Sequence, residues 1–133
     1  MSNEEVYAAG LLNRALDPAT QPPEIRAFLQ AEIDLLNDIV GERMSVIDVG
    51  CGTGRHLITL RDRLRIGVGV DCEHAYIVEA RHRAGAGRLH FVTGAATCLP
   101  VRAKFVHARL IRSCRASRSF PSPVILDASF TFS

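Results

Sequence analysis

The sequence predicts an α/β fold: part of a doubly wound, mostly parallel sheet, with two helices leading into it. Three observations carry this. Strand-like and helix-like patterns alternate from about residue 45 to residue 93, as in parallel β-α-β units. The strand-like runs are short, apolar and rich in β-branched residues, as strands covered on both faces are. A glycine cluster joins the first of them to the helix that follows, at the strand end where such sheets take their ligands.

The elements follow in order. Ser2 and Glu5 have capping-box spacing, which starts a helix running to Leu16 before Asp17-Pro18 stops it. Pro22-Pro23-Glu24 opens a second helix. Its residues Ile25, Phe28, Leu29, Ile33, Leu36 and Val40 recur at three and four, which predicts one buried face, with Gly41 as its C-cap. Ser45–Val49 reads as the first strand, His56–Leu64 as a helix and Ile66–Val70 as the second strand, ending in Asp71. His74–Ala84 is a further helix, broken by Gly85-Ala86-Gly87, and Leu89–Val92 is the third strand.

With 133 residues the chain fits one domain. A formal net charge of +2 argues against nucleic-acid binding through bulk electrostatics. At 47% apolar residues it is a folding chain and not a disordered one. No apolar run reaches the roughly 18–20 residues of a membrane span. The N-terminus, MSNEEVYAAG, lacks the pattern of a secretory signal. Cysteines at 51, 72, 98 and 114 form no C-x-x-C pair or disulfide framework, which points to a reduced, cytoplasmic setting. The spacing of Cys72, His74, His82 and Cys98 fits no familiar zinc site, and packing is the expected role.

Charge divides the chain. Residues 1–100 hold ten Arg, no Lys and 13 acids; residues 101–133 hold five Arg, Lys104 and a single acid, Asp127. The expected organisation is a helical lead-in at 1–43, a ligand-binding β-α-β-α-β core at 44–100 and a basic tail at 101–133 with no sustained period.

The chemistry centres on Gly50, Gly52 and Gly54. Glycines there allow positive φ and let a ligand approach the backbone. Asp71 follows Gly50 by 21 residues, where a carboxylate accepts hydrogen bonds from both hydroxyls of a ribose. A dinucleotide site prefers G-x-G-x-x-G, and Arg55 occupies the place of its last glycine. Asp48, two residues before the loop, suits an ammonium group and opposes a pyrophosphate. S-adenosylmethionine carries both a ribose and such an amino acid end.

VIDVGCGTG, IGVGVD and LHFVTGAATCLP together resemble the successive motifs of class I S-adenosylmethionine-dependent methyltransferases, over about residues 44–100. The nearest likeness is to the small-molecule branch related to ubiquinone and menaquinone biosynthesis. The resemblance implies a Rossmann-like fold, S-adenosylmethionine as cofactor with S-adenosylhomocysteine as product, and a small-molecule methyl acceptor. It places Asp48 at the methionine amino end, the backbone of Gly50, Cys51 and Gly52 along the methionine, and Thr53 and Gly54 at the helix start. Asp71 takes the ribose hydroxyls and Cys72 packs near the adenine. Relatives often read Gly-Asp-Ala after the third strand. Here Gly94-Ala95-Ala96 lacks the acid, so Ala95 offers a backbone contact at most and adenine recognition is weaker.

The resemblance assigns no catalytic base, because the substrate wall of such enzymes comes from later strands. His56 is expected in solvent, and Tyr7 either packs against the core or closes over the cofactor. With three strands in the order third, second, first, the edge of the first lies open. Phe105-Val106 and Pro123–Leu126, a partner chain or a second copy would have to cover it, and marginal stability or dimerisation follows. Two other functions stay open: a non-catalytic cofactor-binding or partner-binding remnant, and a nicotinamide-dependent enzyme.

Overall fold

The computed structural model describes residues 2–95 and, as backbone, the strands at 108–112 and 124–127. Helix α1 (Asn3–Ala15) starts at a complete capping box: the Ser2 hydroxyl accepts from the Glu5 N–H, and the Glu5 carboxylate accepts from the Ser2 N–H. A single 3₁₀ turn (Pro18–Thr20), capped by Asp17, turns the chain into α2 (Pro23–Ile39). Then follow β1 (Met44–Val49), α3 (Arg55–Leu60), β2 (Leu64–Asp71), α4 (His74–Ala84) and β3 (Leu89–Thr93). Two more strands, β4 (Ala108–Arg112) and β5 (Val124–Asp127), complete the sheet.

The strand order is β3-β2-β1-β4-β5. The first four strands run parallel and β5 is antiparallel to β4. This is the expected Rossmann-like α/β architecture, with β1 central. It carries more sheet than the sequence reading assigned, which placed no strand after residue 93. Ala108–Arg112 covers the edge of β1 that the reading left open, pairing from Ser45↔Ala108 to Val49↔Arg112. The Val124–Leu126 run does enter the sheet, but beside β4. The ARLIR segment escapes notice because arginines flank its apolar pair and remove the alternation that marks a strand. Phe105, Val106, Cys98 and Cys114 lie outside the described residues.

Alternation along the strands builds two apolar layers. One face brings Val46, Leu64 and Phe91 together with Leu57 and Leu60 of α3, Ile77, Ala80 and Ala84 of α4, and Leu36 and Val40 from the end of α2. The other joins Ile47, Val49, Val68 and Val70 with Val92, all from strands. On the first face β2 contributes glycines, and β3 fills the space they leave. Gly67 pairs with Leu89 and Gly69 with Phe91, and a Cβ at either position would come within 2.8 Å of the facing side chain.

Three local expectations need correction. Ile25 and Phe28 are exposed, and of the predicted stripe Leu29, Leu36 and Val40 are buried. Helix α2 leans on the six-residue α3, too short to cover its first turns. Helix α3 ends at Leu60, not Leu64; Leu64 opens β2. Gly41 does not take the left-handed cap. The chain leaves α2 extended at Val40, and Arg43 takes the positive φ, 58°, with its N–H donating to Arg63 O at 2.6 Å. Among the described residues no helix is long and apolar enough to cross a membrane.

Candidate functional site

The site forms where β1, β2 and β3 end. Gly50, Gly52 and Gly54 have φ of 76°, 56° and 82°, a left-handed succession that side chains with a Cβ resist. The N–H groups of Gly50 and Cys51 both donate to Val70 O, at 2.7 and 3.1 Å, so the loop turns back across the end of β2. Gly54 is the N-cap of α3. A Cβ there would lie 2.7 Å from Cε1 and Cζ of Phe91, so the glycine admits the β3 ring beneath the loop.

Asp71, at the tip of β2, ties the rim together. One carboxylate oxygen accepts from the Gly52 N–H at 2.8 Å, the other from the Glu73 N–H at 2.9 Å. Its backbone carbonyl accepts from the Gly94 N–H at 2.9 Å, which brings the end of β3 alongside. Each carboxylate oxygen retains lone-pair capacity for a further donor. Cys72 and Ala95 are exposed at this rim. The Cys51 side chain is buried beneath the loop, and burial, with Asp48 and Asp71 nearby, pushes its thiol up, so it stays protonated and unreactive.

The sequence reading missed the residues that hold the loop from outside. Thr53 is buried and its hydroxyl donates to Asn13 Oδ1 of α1. Arg83 of α4 donates to Thr53 O at 3.0 Å and to Thr53 Oγ1 at 3.1 Å, and Asn13 Nδ2 donates to Glu79 Oε1 at 3.0 Å. Helix α1 is thus stitched to the glycine loop and to α4. Leu12 adds an apolar contact, 3.4 Å from where a Gly52 Cβ would be. Tyr7 does not pack; it is 69% exposed on the outer face of α1.

A charge cluster lies behind the loop. Asp48 is 0% exposed, and neither carboxylate oxygen has a hydrogen-bond partner. His56, expected in solvent, is buried, with Nδ1 3.6 Å from Asp48 Oδ2, an ion-pair distance and too long for a hydrogen bond. Its Nε2 lies 3.1 Å from Glu32 Oε1, and Arg55 Nη2 lies 2.5 Å from Glu32 Oε2. Burial opposes the imidazolium, but the Asp48 and Glu32 carboxylates outweigh it and raise His56 to about 9. Burial likewise opposes the Glu32 carboxylate, and hydrogen bonds from His56 and Arg55 bring it down to about 2. Glu32 could have been found as the one acid between Leu29 and Leu36 on the buried stripe of α2.

Of the predicted site residues, Asp48, Gly50, Cys51, Gly52, Thr53, Gly54, Asp71, Cys72, Gly94 and Ala95 all lie at or behind this rim. Among the described residues no three His, Cys, Asp or Glu side chains gather as a metal site. A cavity of about 260 Å³, lined by Arg61, Asp62, Ala84, Ala86, Gly87, Arg88 and Leu89, belongs to the opposite end of the strands.

A methyltransferase domain family matches residues 46–123. No curated protein matches the chain. Among solved structures, a TehB-like S-adenosylmethionine-dependent methyltransferase from Corynebacterium glutamicum is similar, with a TM-score of 0.63, 16% identity, and 85% of this chain and 56% of that one covered. A methyltransferase from Thiobacillus denitrificans in complex with S-adenosylhomocysteine gives 0.51, 24%, 84% and 44%. One from Geobacter sulfurreducens with the same ligand gives 0.51, 24%, 83% and 43%. The chain therefore spans about half the length of these proteins.

Proposed function

Because this chain belongs to the methyltransferase domain family, we propose that it holds S-adenosylmethionine at the carboxyl rim of its sheet and supplies the cofactor half of a methyl transfer to a small molecule. The observation that carries the proposal is Asp48: a fully buried carboxylate with both oxygens unpartnered, directly behind a left-handed glycine loop. Such a group is costly unless something cationic completes it. His56 Nδ1 faces one oxygen at 3.6 Å without a hydrogen bond; the ligand's ammonium group supplies the donor that Asp48 lacks, and no diphosphate could.

Each residue has a task. Asp48 binds the ammonium end. Gly50, Cys51 and Gly52 leave room for the methionine stem, with Thr53 and Gly54 fixing the loop to α1 and α3. Asp71 accepts from the ribose hydroxyls while continuing to brace Gly52, so occupancy stiffens the loop. Cys72, Gly94 and Ala95 border the adenine. When bound, the cofactor supplies a sulfonium methyl open to in-line attack. The protein's share is to hold that methyl and the acceptor close and aligned. Residues 44–100 form this half and 1–43 the lead-in, and the strands at Ala108–Arg112 and Val124–Asp127 extend the sheet beside β1. The acceptor arrives as a small molecule in a reduced cytoplasmic setting.

Calorimetric titration with S-adenosylhomocysteine and, separately, with NAD tests the reading. Saturable binding of the first alone is expected. Asp71→Ala should weaken it at least about 100-fold, since two hydrogen bonds to a charged acceptor are lost at about 1.5–3 kcal/mol each. Binding of NAD instead, or an Asp71→Ala chain that binds unchanged, refutes it. Transfer of labelled methyl to a metabolite extract separates an enzyme from a non-catalytic binder.

A further inference from the structure

The site assigned above leaves the Glu32–His56–Arg55 cluster without a role. Asp48 is fully buried, at 0% exposure. The cation that faces it is His56, with Nδ1 3.6 Å away. His56 cannot turn aside, because Nε2 is held 3.1 Å from Glu32 of α2, itself clamped by Arg55 of α3. We propose that His56 is a positioning residue for ligand binding: held by Glu32, it keeps the Asp48 carboxylate oriented for the ammonium group of an amino-acid-bearing nucleoside. The proposal rests on the reading of the site as one for S-adenosylmethionine.

The groups facing this pair are few. His56 meets Asp48 of β1 through Nδ1, and through Nε2 both Glu32 of α2 and its neighbour Arg55, whose Nη2 lies 3.0 Å away. Asp71 of β2 and the protonated Cys51 lie beyond Asp48. With the imidazolium present, two carboxylates stand against two cations. Without it, two carboxylates face one guanidinium, and Asp48, which has no hydrogen bond, loses the side chain that fixes its orientation. Helix α2 thereby gains a part in ligand binding through Glu32, although it contributes no residue to the rim.

The test compares S-adenosylhomocysteine with 5′-methylthioadenosine, which has the same nucleoside and no amino acid end. Both are titrated into the unaltered chain and into His56→Gln at pH 7. The expected result is an about tenfold loss of S-adenosylhomocysteine affinity in His56→Gln, with 5′-methylthioadenosine unchanged. Equal losses for both ligands, no loss, or a gain in S-adenosylhomocysteine affinity would overturn the proposal. A measurement on the unaltered chain avoids dependence on the variant's folding. The His56 ring ¹⁵N resonances should report an imidazolium at pH 7 and move with S-adenosylhomocysteine but not with 5′-methylthioadenosine. A neutral ring at pH 7 overturns the proposal. If neither nucleoside binds the unaltered chain, the reading of the site fails and takes this inference with it.

Discussion

Replacing Gly69 by Ala tests the packing beneath the glycine loop. Its backbone is extended, so alanine meets no conformational strain, and exchanging a strand glycine should by itself gain about 0.5–1 kcal/mol. The new methyl, however, would lie 2.5 Å from Cδ1 and 2.7 Å from Cε1 of Phe91, and 2.8 Å from Cys51 Sγ. Carbon atoms pack best at about 3.5–4.0 Å, so the overlap approaches 1 Å on two sides. Phe91 is buried and already fills the space where Gly54 lacks a Cβ, which blocks retreat in that direction. Overpacking of this kind costs about 1–3 kcal/mol. The net expectation is a loss of about 1–2 kcal/mol, read as a lower midpoint in urea with unchanged slope. Phe91→Leu gives the methyl room, so the double variant should lose about 1 kcal/mol less than the sum of the singles. A Gly69→Ala chain at least as stable as the parent, with strictly additive energies in the double variant, would refute the reasoning.

Other consequences are equally direct. His56, raised to about 9, contributes stability that is complete below its unfolded value near 6.5 and is lost as pH rises through 9; Glu32, held at about 2, contributes stability present above about 4.5 and lost as pH falls through 2. Thermal melts should therefore peak between about pH 4.5 and 6.5, and His56→Gln should flatten the alkaline limb, where the slope cannot exceed about 1.4 kcal/mol per pH unit. Asn13→Ala leaves the buried Thr53 hydroxyl and Glu79 short of a partner. It should cost about 1–2 kcal/mol in denaturant unfolding and raise hydrogen exchange in α1 and the loop together; exchange confined to α1 would count against the stitch. Ala95→Asp should tighten S-adenosylhomocysteine binding measured by calorimetry, and unchanged affinity would remove Ala95 from the adenine edge.

What could be read in the sequence was what is local. Ser2 with Glu5, the β-branched run at Val46–Val49 and the glycine loop each depend on neighbours within a few residues, and each appears where expected. Asp71 was legible because a strand and a helix of ordinary length fix its distance from Gly50. Properties set by remote partners were not. The helical period of α2 shows which residues share a face, but the brevity of α3 decides that Ile25 and Phe28 stay wet. His56 resembles any polar residue at a helix start until Glu32, 24 positions earlier, is brought against it. Strand β4 is recognisable through its pairing with β1 and not through its own composition.

The four parallel strands give the sheet a direction. Their carboxyl ends gather the glycine loop, Asp71 and Gly94, whereas the turn at Ala86–Arg88 belongs to the far end, before β3 begins. A fluorophore or an immobilising tag attached at this turn would therefore stand a strand's length from the proposed ligand entrance. Binding could be followed from there without a probe obstructing the event it reports.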